Sequence, residues 1–237
     1  MSDKKIISPE TLKGRDHLAF LSLAEQQTNQ RTLVSLDELD ADCEVIGTSM
    51  CILYQAATCY RNCSGGPHVL ESLIGRAYNL CCSAYILILR GFYDEAMNLI
   101  RSLGEIANLL MLTSGQGTEA LEWLNADKKE RIKNFGPAAI RKRLNQIGKP
   151  LVATDSWYEE FCERFTHVTP QTRPNQHDQS ITGIAGGLFQ KEGLDKSVGE
   201  LSTISGSLAL LIAHAFKFND LWEALTQTVE NAGSTEE

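Results

Sequence analysis

The chain has 237 residues, 43% of them hydrophobic and 22% charged, with a formal net charge of -8 at neutral pH. That is ordinary globular composition, which excludes a disordered or fibrous polymer, and the acidity excludes a nucleic-acid coat protein with a basic surface all round. The polar start is followed by no signal-peptide core, and no apolar run reaches the ~20 residues that cross a bilayer, so a cytoplasmic protein with no membrane partner is expected.

In chain order, residues 1 to 7 and 231 to 237 read as frayed ends of a single helical domain spanning 1–237. A first helix is expected from Pro9 to about Gln27, with Ser8 as N-cap. The next opens at Ser35, where S-x-x-E to Glu38 reads as a capping box, and carries an apolar stripe through Leu36, Cys43, Ile46, Met50, Leu53 and Ala57. Ser64-Gly65-Gly66-Pro67 ends it. Leu70, Ile74, Ala77, Cys81, Ala84 and Ile88 repeat the same spacing up to Gly91, and Asp94 starts a third stripe through Ala96, Ile100, Leu103, Ala107 and Leu110.

The string Arg90 to Ala96, R-G-F-Y-D-E-A, resembles the inter-helix turn of a tetratricopeptide repeat. It does not recur at the ~34-residue period of an array, so it reads as one helical hairpin. Shorter helices are expected over Glu119 to Lys133, over Pro137 to Ile147, and from Ser156, boxed with Glu159, to Phe165. Residues 167–193, rich in proline and glycine, form a long irregular loop with room for a short hairpin over Ser180 to Gln190. A last helix from Asp195 carries a stripe as far as Val229. The expected fold is all-α: an antiparallel bundle of four long heptad-patterned helices with shorter ones and one long loop. Stripes of this kind also pair helices between chains, so a homodimer is expected.

Seven cysteines, an odd number with no Cys-x2-Cys pair, read as reduced core thiols, with Cys63 beside Arg61 the candidate for reactivity. None of the five histidines follows a glutamate by three residues, so no metal site and no cofactor is expected. His214, inside an apolar run, reads as a core or interface histidine.

Charge is unevenly spread. Between Lys128 and Lys149 lie eight basic residues against one acid, leaving -15 for the remainder. Lys128, Lys129, Arg131, Lys133, Arg141, Lys142 and Arg143 are therefore candidate phosphate contacts, implying a nucleic-acid or nucleotide partner. Arg101 and Glu105, one turn apart in an otherwise apolar helix, are either a structural ion pair or a polar hole that binds an anion. A further cluster, Tyr158, Arg164, His167, Arg173 and His177, opens the long loop and combines phosphate binding with proton transfer.

Arg61, followed by Asn62 and after a six-residue spacer by His68, resembles the R-x4-6-H pattern of the HEPN superfamily of helical bundles. That resemblance implies a metal-independent ribonuclease of toxin or phage-defence type with Arg61 and His68 as its catalytic pair; Arg164 and His167 of the loop cluster are the other pair whose chemistry suits the same roles. His68 near a helix start would be a neutral base, and the amides of residues 66–69 would hold a phosphate. Three readings stay open: an oligomeric bundle that binds a phosphate-bearing partner, that ribonuclease, and a scaffold that binds only protein.

Overall fold

A computed structural model describes residues 12–61, 63, 68–114, 118–170, 172, 176–178 and 185–233. They are helical, with no strand among them: α1 Arg15–Ser35, α2 Asp40–Ala57, α3 Val69–Leu89, α4 Tyr93–Thr113, α5 Glu119–Asn125, α6 Lys128–Phe135, α7 Pro137–Gln146, α8 Asp155–Phe161, α9 Lys191–Ala215 and α10 Asn219–Gly233. A 3-10 turn, Leu36–Leu39, joins α1 to α2, and a wide π turn, Cys162–Thr166, extends α8.

The core forms where the expected stripes meet. Ile52 and Leu53 of α2, Ile74 and Cys81 of α3, Ile100 and Leu103 of α4, and Leu201 and Leu208 of α9 all lose contact with solvent in one cluster. Each stripe is apolar on one side of its helix only, so it must be covered, and here the four cover one another within one chain. Short turns make α2, α3 and α4 run up and down. Between α3 and α4 the turn rests on Gly91, whose φ of 76° suits glycine and whose missing Cβ would lie 2.6 Å from the Leu188 carbonyl oxygen.

α9 departs from a fully antiparallel order. Its start meets the start of α4, where Gly193 packs on the Tyr93 ring, and its middle meets α2, where Gly206 faces Val45. It therefore runs parallel to α2 and α4, after a crossover of more than seventy residues. α3 and α9 are long and apolar enough, by length and composition alone, to cross a bilayer.

Several boundaries differ from expectation. Ser35 does not cap α2: the chain passes straight from α1 through the 3-10 turn, the Ser35 hydroxyl bonds to the Arg31 carbonyl, and Glu38 pairs with Lys191. Thr154, not Ser156, caps α8 by accepting the Trp157 amide. α4 starts at Tyr93 with no side-chain cap. The expected helix over Glu119 to Lys133 is split by Asp127, whose carboxylate and Glu130 form a capping box that starts α6. The last helix is also broken, because Lys217 takes a left-handed φ of 58° and turns α10 back across α2 and α9. His214 is exposed. Pro9, the Ser64–Pro67 breaker, Arg173 and residues 180–184 of the expected hairpin lie outside the described residues, and residues 185–190 are not a strand.

Candidate functional site

α5, α6 and α7 pack as a unit on the C-terminal half of α4. A small second core of Leu112, Ile140 and Leu144 lies beneath α7, flanked by Phe135 and Leu151. The link from α7 to α8 is fastened to α4 by Asn108, which is 3% exposed: its Nδ2 donates to the Ala153 carbonyl, and its Oδ1 accepts the amides of Val152 and Ala153 at 2.9 and 3.2 Å. Gly104 permits this approach, since a Cβ there would lie 2.8 Å from the Ala153 Cβ and 3.1 Å from the Trp157 ring.

This packing links Arg101 and Glu105 to two further helices. Arg101 Nη1 donates to Glu105 and, at 2.8 Å, to the Tyr158 hydroxyl, which in turn donates to Glu105 Oε1 at 2.9 Å. From the other side Arg141 of α7 lays its guanidinium 4.2 Å from the centre of the Tyr158 ring and pairs with Asp155. Tyr158 thus joins α4, α7 and α8. Burial, and then the Glu105 carboxylate beside it, push its hydroxyl pKa well above the ordinary tyrosine range, so it stays a proton donor at neutral pH. Two guanidiniums face two carboxylates, so the charges within this interhelical clamp balance. Arg101 Nε is its one buried donor without a partner.

The basic segment divides into residues bonded to the protein and residues left in water. Arg141 is buried in the clamp, Arg143 pairs with Glu122, Arg131 donates to the Ala126 carbonyl, and Lys149 donates to the Met111 carbonyl. Arg141, 7% exposed, is turned away from solvent and cannot face a ligand as expected, while Arg131 stays exposed and Arg143 is half-buried. Lys128, Lys129, Lys133 and Lys142 are exposed and have no hydrogen-bond or ion-pair partner among the described residues. Lys129 and Lys133 stand one turn apart on α6 and so share a face, while Lys128 and Lys129 occupy its first turn.

The remaining candidates do not form one catalytic centre. Arg61 forks onto Asp220 at the start of α10, with both guanidinium nitrogens 2.6 and 2.8 Å from the carboxylate, and Nε bonds to Gln55. His68 is not inside a helix: it precedes α3 with a left-handed φ of 46°. Arg164 pairs with Glu160, which also takes Lys196 near the start of α9, while Asp220 lies just past the end of α9. A helical rise of ~1.5 Å per residue between Lys196 and Ala215 puts the two arginines toward ends about 28 Å apart. His167 is exposed. His177 is no surface phosphate ligand: its side chain is 4% exposed, with Nε2 2.9 Å from Asp94 and its ring edge-on to Tyr93.

Sequence reasoning missed Asn108, Gly104 and Asp155. Asn108 had a legible sign, an amide within an apolar stripe, since such a group must be satisfied when buried. No curated protein and no solved structure matches the chain. A sequence profile matches more than half of it, residues 68–196 from His68 through α3 to α8 and into α9, and the chain thereby belongs to the Family of unknown function (DUF5677).

Proposed function

We propose that this protein binds a phosphate-bearing partner, nucleic acid or nucleotide, through the lysine face of α6 and α7. One observation carries the reading: Lys128, Lys129, Lys133 and Lys142 stay exposed with no partner among the described residues, while Arg141 is buried and Arg143 pairs with Glu122. Lys128 and Lys129 also sit at the positive end of a helix, where cations are disfavoured. A sequence that keeps them there accepts a local cost, and such breaches of local rules concentrate at functional sites. The clamp beneath fixes Arg141 of α7, the neighbour of Lys142.

The test is a salt titration of binding to single-stranded RNA and to duplex DNA. Binding by four lysines gives a log–log slope of about -3 on a single strand, at ~0.7 per neutralised phosphate. Converting all four lysines to glutamine should remove the affinity with the helical circular dichroism unchanged. Absence of wild-type affinity at low salt would overturn the reading. The HEPN-like ribonuclease reading gains no comparable support, because Arg61 and Arg164 are each engaged by an acid. RNA cleavage that survives EDTA and is lost in His68→Ala or His167→Ala would restore it.

A further inference from the structure

At the end of α2 the chain leaves its helix through Cys59, a non-glycine residue with φ 54°, and it enters α3 through His68 with φ 46°. Left-handed backbone is uncommon for residues with a Cβ. The two turns point the side chains at each other: Cys59 Sγ lies 3.6 Å from His68 Nδ1, and Cys63 Sγ lies 3.9 Å from Nε2 of the same ring. One donor atom from each of the three residues falls within 4.8 Å of the other two. Glu71, on the first turn of α3, brings Oε1 to 3.6 Å from His68 Nδ1.

We propose that Cys59, Cys63 and His68 form a zinc-class cation site, with Glu71 as the fourth ligand. Zinc bonds of ~2.3 Å to sulfur and ~2.0–2.1 Å to nitrogen and oxygen, opened at a tetrahedral angle, set sulfur and nitrogen about 3.6 Å apart and nitrogen and oxygen about 3.4 Å apart. The separations at Nδ1, 3.6 Å to the Cys59 sulfur and 3.6 Å to the Glu71 oxygen, are close to that geometry without a cation to impose it, and Cys63, whose sulfur faces Nε2, completes the set by turning its side chain toward Nδ1. Two thiolates and an imidazole are a soft-to-borderline donor set, which selects zinc over magnesium or calcium. Arg61, the nearest cation in sequence, is held away by Asp220. Uptake replaces two thiol protons by two metal–sulfur bonds, releasing both protons to solvent with no change of oxidation state. The cation would tie the end of α2 to the start of α3, at the opposite end of the bundle from Arg164.

The experiment uses the full chain, reduced with a phosphine, stripped with a chelator and titrated with cobalt(II). One cobalt per chain is expected, with a thiolate-to-cobalt charge-transfer band and the intense visible absorption of a tetrahedral ion, both abolished by added zinc. Cys59→Ser and Cys63→Ser should each weaken zinc binding at least 100-fold. Glu71→Gln should weaken it about 10- to 100-fold and change the visible bands while keeping the charge-transfer band. Where a serine variant fails to fold by circular dichroism, the wild-type spectrum still decides. The proposal is overturned if the reduced wild-type chain takes up no cobalt, if folded serine variants bind it unchanged, or if the pair only oxidises to a Cys59–Cys63 disulfide.

Discussion

Two polar regions flank α7, and they use charge in opposite ways. Beneath it, Arg101, Glu105, Tyr158, Arg141 and Asp155 bond to one another, only Arg101 Nε being left over, with Arg101 at 15% and Arg141 at 8% side-chain exposure. On α6 and α7, four lysines stand exposed with no partner among the described residues. The difference follows from side-chain chemistry. A planar guanidinium offers several fixed donors and stacks on an aromatic face, so it can serve two partners while losing water, whereas an ammonium is strongly hydrated and is best left outside. Within one basic segment the arginines and Lys149 bond to the protein's own groups, while the other four lysines stay in water.

The comparison breaks most visibly if the clamp is cut on one side only. Arg101→Met leaves Glu105 largely desolvated without its cation, and urea unfolding should show a loss of about 3 kcal/mol. Arg101→Met with Glu105→Leu should recover most of it, because apolar groups of similar size replace a buried pair at little cost. Equal losses in the single and double variants would mean that the pair is a solvated surface contact. Next in size is Asn108→Ala, which strands the Val152 and Ala153 amides and the Ala153 carbonyl and should cost about 2 kcal/mol. Neither change should alter binding by the lysines in the folded state.

Alkaline pH probes the clamp through Tyr158. Its folded pKa is raised above the unfolded value of ~10, so its contribution is fully present below pH ~10 and is lost as pH rises toward the folded value, where the unfolded chain ionises first. Tyr78, Tyr85 and Tyr93 are raised as well, Tyr85 and Tyr93 chiefly by burial. Tyr158→Phe should therefore flatten the fall in stability between about pH 9 and 11 only in part. An unchanged slope would place Tyr158 in water.

Much of the bundle was legible because its signals are local. The four stripes, Gly91 and the proline that opens α7 each act within a few residues of themselves. The break at Lys217 was not, since no glycine or proline marks it and only packing of α10 makes a left-handed lysine tolerable. Nor was the direction of α9, which depends on how a long crossover returns. The site shows the same division. Arg101 and Glu105 are one turn apart and could be paired on sight, while Tyr158 reaches them from 57 and 53 residues away. Cys59, Cys63 and His68 follow no common metal-ligand spacing, and two left-handed residues bring them together.

The smallest effect sharpens the contrast furthest. Lys128 and Lys129 sit in the first turn of α6, where the helix dipole repels cations and favours carboxylates, and the Asp127–Glu130 capping box already shows that preference. Lys128→Glu with Lys129→Glu removes two cations and adds two acids at that end. On stability alone the change should help, raising Tm by about 1 °C in low salt. On a protein that uses these lysines to hold phosphate it should abolish polyanion binding at the same time. A rise in Tm together with a loss of binding is the signature of charges kept for a partner at the expense of the fold. A rise with binding intact would move the contact elsewhere, and a fall would mean that both lysines support α6 itself.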